Sequence, residues 1–183
     1  EYHSGGDTKP RVNGAYAVAR PWDTDALLFK LGLIPWNFGS WAPRTYGDAN
    51  PLVGIPLMYH YRTPASSSAL PATYEELRMR AGTHGMPILY DACWPLGISA
   101  FGFSGDFEYL LMLTKESPSS PRSYTSRGGN VIGRVAWNPA SAFTLGGSFS
   151  FGRYLTHDAG GLPEGTETHD VMQKIIGVCS CLS

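Results

Sequence analysis

Between residues 143 and 153 the chain alternates between two kinds of side chain. Phe143, Leu145, Gly147, Phe149 and Phe151 share one parity, and Thr144, Gly146, Ser148, Ser150 and Gly152 share the other. Successive side chains of a strand point to opposite faces of the sheet. The pattern therefore predicts a strand with one apolar, aromatic face and one small, polar face. Its length of about 11 residues is near the ~9–11 of a tilted membrane-spanning strand and well above the ~5–6 common in soluble sheets. A turn at Asn138-Pro139-Ala140-Ser141 joins it to a preceding run over residues 130–138. There Val131, Val135 and Trp137 oppose Asn130, Arg134 and Asn138.

The same period of two predicts four further strands and the beginning of another. Residues 12–20 set Gly14, Tyr16 and Val18 against Ala15, Ala17 and Ala19. Residues 26–38 set Leu27, Phe29, Leu31 and Leu33 against Lys30 and Gly32. Residues 93–103 set Trp94, Leu96, Ile98 and Ala100 against Gly97 and Ser99. Residues 107–115 set Phe107, Tyr109, Leu111 and Leu113 against Glu108 and Thr114. A last run begins near Val171 and reaches Val178.

The connections alternate in length. Residues 21–25, 104–106 and 138–141 are short, while 39–91, 117–129 and 155–170 are long. A transmembrane barrel closes one end with tight turns and extends its loops at the other. The expected fold is thus all-β: an antiparallel, up-and-down transmembrane β-barrel forming a single domain over residues 1–183. Its six to seven strands leave the barrel incomplete. The longest connection, 39–91, contains a short helix near residues 71–80, with Thr73 as N-cap, acids early and arginine late. Ser66-Ser67-Ser68 before it is expected to be a flexible joint. A loop of this length is either extracellular or folded into the lumen.

Two features refine this picture. Leu110 and Met112 share the Glu108 parity, and Ile132 interrupts the polar parity of its own run. An inward-folded 39–91 loop packing against that wall accounts for these apolar residues. Aromatic residues also gather near strand ends: Trp22, Trp36, Trp137, Phe143 and Tyr154. Amphipathic rings favour the headgroup level of a bilayer, so these five are candidate interface residues.

Composition agrees. Charged residues make up 16% of the 183 and aromatics 13%, with 22 glycines. The charged share is below the ~25% typical of soluble domains. No run approaches the ~20 apolar residues of a transmembrane helix. The net charge of −1 gives no long-range attraction to nucleic acid. No secretory signal is visible at Glu1-Tyr2-His3. Cys93, Cys179 and Cys181 give an odd count and no disulfide framework. Cys179-Ser180-Cys181 reads as two incidental thiols rather than a metal fragment or redox pair, because a metal site needs three or four ligands.

Residues 30–39, Lys-Leu-Gly-Leu-Ile-Pro-Trp-Asn-Phe-Gly, and the hairpin from Gly133-Arg134-Val135-Ala136-Trp137-Asn138-Pro139 to Leu145-Gly146-Gly147-Ser148-Phe149 resemble bacterial outer-membrane porins, in particular the phosphate-selective group and related porin-like barrels. The resemblance implies a passive channel in the outer membrane of a Gram-negative bacterium, embedded in the lipid bilayer and assembled as a homotrimer. Such porins have about 16 or more strands and usually end on an aromatic residue, whereas this chain ends Cys181-Leu182-Ser183. The expectation is a partial barrel: an internal fragment, or a product truncated or frame-shifted near Cys179.

Lys30 and Arg134 fall on the small polar faces, where a cation facing a pore raises the local anion concentration. Alternatively, each pairs with a carboxylate such as Glu108. The candidate pore-lining residues are Lys30, Arg134, Glu108, Thr144, Ser148 and Ser150. His157-Asp158 and His169-Asp170, with Glu164 and Glu167, read as a solvated loop rather than a cation site. No nucleophile elbow, zincin motif or P-loop is present, and no metal or cofactor is expected. The leading expectation is a non-enzymatic channel for small hydrophilic, anion-leaning solutes. The alternatives are a soluble β-sandwich that binds carbohydrate, and an enzyme on a β scaffold using Asp106 and Glu108.

Overall fold

The computed structural model describes residues 14–39, 62–79, 85–89, 94–119 and 129–182. Seven strands form one sheet: β1 (Ala15–Ala19), β2 (Leu28–Leu33), β3 (Leu96–Ser104), β4 (Phe107–Thr114), β5 (Asn130–Ala140), β6 (Phe143–Arg153) and β7 (Met172–Leu182). Each pairs antiparallel with its neighbour in sequence, so the sheet is an up-and-down meander with order β1 to β7. The fold is all-β apart from the short helix α1 (Tyr74–Met79). The sheet is open: among the described residues, β1 and β7 are its edges.

Local chemistry sets the boundaries. Gly105 and Asp106 alone link β3 to β4. Gly105 has φ +56, matching the first central position of a type II′ hairpin turn. β5 and β6 are linked by Ser141 and Ala142, so the turn lies later than the expected 138–141. Asn138 and Pro139 instead occupy a register shift between Trp137 and Ala140. Proline has no N–H for the ladder and is tolerated at such a bulge. The Asn138 amide donates to the Asp106 carbonyl at 2.8 Å, and its side-chain oxygen accepts from Thr144 Oγ1 at 2.7 Å.

Strand β2 is shorter than the alternation over 26–38 predicts. It ends at Leu33, and the Ile34 amide makes one more bond, to the Pro95 carbonyl at 3.0 Å. Pro35 then has nothing to donate, and the chain leaves the sheet. At the other end of the sequence, β7 runs beyond the expected 178, and Cys179, Ser180 and Cys181 pair with Gly146, Leu145 and Thr144.

Register places the strand residues on two unlike faces. On one face the rows Leu31–Ile98–Leu113–Val131–Phe151, Phe29–Ala100–Leu111–Gly133–Phe149–Ile176 and Phe107–Trp137–Leu145 run across the sheet. On the other run Lys30–Ser99–Met112–Ile132–Ser150–Ile175 and Phe101–Leu110–Arg134–Ser148–Gly177. The second face is covered and the first is bare. Met112 is 0% exposed, while its neighbour Leu111, in the middle of the sheet, is 51% exposed.

The cover comes from the β2–β3 connection. Residues 34–39 cross the covered face as a strap. Ile34, Trp36, Phe38 and the returning Leu89 pack on Leu110, Met112, Ile132 and Ile175 to form the core. Burial of each such side chain contributes about 1.5–3 kcal/mol. Phe38 reaches β7, where its ring lies against Gly177. Of the loop 39–91 expected to fold onto this wall, Leu89 joins the core and Ile88 packs against it, while the rest of the cover comes from residues 34–38, which the alternation assigns to β2.

The same connection is tied to the β6–β7 loop. Thr156 donates from its amide to the Ser67 carbonyl at 2.8 Å, Gly160 to that of Ser68 at 2.9 Å, and Leu70 to that of Gly160 at 2.9 Å. The serine triplet expected to be a flexible joint is thus a docked segment. In α1 the expected cap is present: Thr73 Oγ1 accepts from the Glu76 amide at 3.2 Å, with Glu75 and Glu76 in the first turn and Arg78 in the last.

Candidate functional site

The covered face holds all six residues expected to line a pore, in differing environments. Arg134 is opposite Leu110 on β4 and Ser148 on β6. Its Nη1 donates to Glu108 Oε1 at 2.6 Å. The guanidinium side chain is 8% exposed and the Glu108 side chain 33%. The carboxylate pair expected for Arg134 is made. Lys30 differs. It is half-buried, and its Nζ lies 4.5 Å from the centre of the Phe101 ring and 5.5 Å from that of Tyr16. Among the described residues no carboxylate pairs with it, and the two rings supply cation–π contacts.

Thr144 lies at the short-turn end, bonded to Asn138. Ser148 and Ser150 are buried rather than open to solvent. The Gly39 amide donates to Ser148 Oγ at 2.9 Å. Three donors on or under the strap have no partner: Trp36 Nε1, Ser99 Oγ and Arg134 Nε. A buried unsatisfied donor costs about 1–3 kcal/mol.

The aromatic residues divide. Trp22 is exposed in the β1–β2 connection, while Trp137 and Phe143 lie on the bare face at the short-turn end. Phe107, not among the expected interface residues, belongs to the same belt, directly opposite Trp137. Tyr154 follows β6 at the long-loop end and is half-buried, which pushes its phenol above the ordinary range. Trp36 does not belong with them. It is 3% exposed in the core, because the strand that was to carry it to an interface ends before Pro35.

Sequence reasoning missed a polar cluster at the long-loop end. Ser119 Oγ lies 2.6 Å from the Ile88 carbonyl oxygen and 2.9 Å from Gln173 Oε1, with one proton to share between the two acceptors, and Ser117 Oγ donates to the same Gln173 oxygen at 3.2 Å. This pins the return of the β2–β3 connection to β7. The Ser117-Pro118-Ser119 sequence was its only signal, and it reads equally well as loop. Glu116 beside it is buried, and burial pushes its carboxyl above the ordinary range against the opposing charge of Lys115.

On the bare face, charged residues among the strand positions are confined to Arg153 and Lys174, both at the long-loop end. Lys174 Nζ lies 5.8 Å from the Phe151 ring centre. The face is closely fitted: a Cβ on Gly133 would fall 2.2 Å from the Phe149 ring that covers it.

No group of three or more His, Cys, Asp or Glu residues is arranged to hold a metal among the described residues. His169 lies between Glu167, at 2.9 Å, and Asp170, at 3.6 Å, within an exposed turn. Hydrogen bonding from Thr156 leads the causes that lower the Asp158 carboxyl below its ordinary value. Cys179 is a free thiol, and Cys93 lies outside the described residues.

Comparison with protein-family models, curated proteins and solved structures gives no match.

Proposed function

We propose that the chain is an arc of an outer-membrane β-barrel, with its bare face against lipid hydrocarbon and its covered face toward an aqueous lumen. Small hydrophilic solutes, preferentially anionic, diffuse through that lumen. The observation that carries this reading is the inverted placement of apolar side chains. Leu111, Val135, Phe149 and Ile176 are exposed on a face without internal charge, while the packed layer lies on the face that holds Lys30, Glu108, Arg134 and the serines. A soluble carbohydrate-binding sandwich buries its apolar face against a second sheet, which is the reverse arrangement.

Dimensions support the same reading. The eleven residues of β6 at ~3.4 Å each span about 37 Å, and a tilt of ~40° reduces this to about 28 Å, close to the ~25 Å apolar band of such barrels. An eight-stranded barrel is filled by its own side chains. A wall whose inner face also holds a polypeptide strap must be wider, so seven strands are an arc of it. The resemblance to phosphate-selective porins points to the same membrane and to a trimer. The role is non-enzymatic: the wall offers polar groups to passing solutes, and on the covered face Lys30 supplies a cation that no carboxylate offsets among the described residues.

Reconstitution into planar bilayers of the chain together with the remaining strands of its barrel tests the proposal. Discrete conductance steps with anion preference are expected, and Lys30→Glu should move the reversal potential toward cation preference. A chain that stays in solution without detergent and gives no conductance would refute the reading.

A further inference from the structure

We propose that residues 34–39 are a releasable strap, closed in this structure, whose release opens the covered face to solvent. The inference goes beyond the pore reading and does not depend on it, because it concerns the fit of one segment to one face.

The strap is held mainly by apolar contact. Ile34, Trp36 and Phe38 sit in the core with Leu110, Met112, Ile132 and Ile175. Among the described residues its polar ties to the rest of the fold are at its two ends: the Ile34 amide on the Pro95 carbonyl and the Gly39 amide on Ser148 Oγ. A segment held in this way leaves by giving up packing rather than by breaking a hydrogen-bonded ladder.

Closure leaves donors unmet. Trp36 Nε1 belongs to the strap itself, and Ser99 Oγ and Arg134 Nε belong to the wall; all three are sealed from solvent without a partner. Polar groups buried in this state are penalised, and they regain hydrogen bonds as soon as water reaches them. Apolar burial therefore favours the closed arrangement and the unmet donors favour the open one. The two terms oppose each other across a single six-residue segment, which is the condition for a bistable element.

The ends suit a pivot. Pro35 fixes the backbone where the chain leaves β2. Gly39 has φ +69, and no atom lies within 4 Å of the position a Cβ would take. Release uncovers the apolar wall on which the strap packs, Leu110, Met112, Ile132 and Ile175, and beside it the buried hydroxyls of Ser99, Ser148 and Ser150 in the same two rows. Release thus turns an occluded wall into one that presents hydroxyls beside an apolar patch.

The test uses the full chain in detergent with Cys93, Cys179 and Cys181 replaced by serine and Ser99→Cys as reporter. Its rate of modification by a water-soluble maleimide is compared in three straps. Phe38→Ala removes the ring seated on Gly177 and should speed labelling by about tenfold or more. Trp36→Phe removes the unmet indole donor while retaining an aromatic ring, and should slow labelling several-fold. Ala159→Cys, buried in the β6–β7 loop outside the core cluster, serves as the reference and should label at one rate in all three. If Phe38→Ala fails to give the folded form, Phe38→Leu takes its place. Equal rates at position 99 in all straps, or parallel changes at positions 99 and 159, would overturn the proposal, the first because the strap does not move and the second because the whole fold loosens.

Discussion

The ring of Phe38 lies so close to Gly177 that a Cβ on the glycine would stand 2.8 Å from the ring's Cε1. This contact joins the end of the strap to the last strand of the sheet, and it requires a residue without a side chain on β7. Gly147, on the opposite face, has nothing within 4 Å of its Cβ position. Gly177→Val should therefore destabilise the fold by about 1–3 kcal/mol, the range for overfilling a packed site. Gly147→Val should change stability little or raise it slightly, since valine favours strands. Urea midpoints of the two variants in the same detergent measure the difference.

The Arg134–Glu108 pair should behave as a partly buried ion pair. Removing one partner of a fully buried pair costs about 3–5 kcal/mol. The one-third exposure of Glu108 lowers the expectation for Glu108→Gln to about 2 kcal/mol. The double variant Glu108→Gln, Arg134→Met should cost less than Arg134 left alone with a neutral neighbour. A double-mutant cycle in urea reads this directly, and strict additivity would mean the two side chains do not interact.

Glu116 gives a pH dependence of known sign. Burial raises its carboxyl above the ordinary 4.5, so the folded state favours the protonated form. Its favourable contribution is present below that ordinary value and is lost as pH rises through the higher folded value. Glu116→Gln keeps the position neutral at every pH. The urea midpoint of the variant relative to the parent should be nearly equal at about pH 4 and higher at about pH 8. A midpoint difference independent of pH would contradict the burial of this carboxyl.

The strands were legible in the sequence because alternation is a local property. Phe143 to Phe151, Phe107 to Leu113 and Leu27 to Leu33 each show the two-residue period, and the meander follows from the short and long connections between them. The strap was not legible as such. Ile34, Trp36 and Phe38 keep a period of two, but on the parity of Lys30 and Gly32 rather than that of Leu27 to Leu33, and the expected strand over 26–38 runs straight through this change of phase. The phase change at Leu33-Ile34 and Pro35 are the signals of a stop, and one proline also reads as an irregularity at a sheet edge. What holds the strap is a partner far away in the chain: a glycine on β7 and apolar residues on β4 and β5. Leu110, Met112 and Ile132, apolar on an otherwise polar face, did announce that something covers them; the expected cover was the loop 39–91, whereas Ile34, Trp36 and Phe38 before it supply most of the contact, with Leu89. The six residues named from the alternation, Lys30, Glu108, Arg134, Thr144, Ser148 and Ser150, do share one face. The pairing of Arg134, the aromatic neighbours of Lys30 and the burial of Ser148 and Ser150 depend on cross-strand register and on what covers the sheet, which no local pattern encodes.

The proposal rests on which face of the sheet meets lipid, and a nitroxide scan along β6 measures that. Single spin labels at residues 144 to 151 of the full chain in bilayers report collisions with oxygen, which concentrates in lipid, and with a water-soluble nickel chelate. Labels at Leu145, Gly147, Phe149 and Phe151 should favour oxygen, and those at Thr144, Gly146, Ser148 and Ser150 should not, with a clear period of two. Oxygen preference on the serine parity, or no alternation at all, would contradict a bare face seated in the membrane.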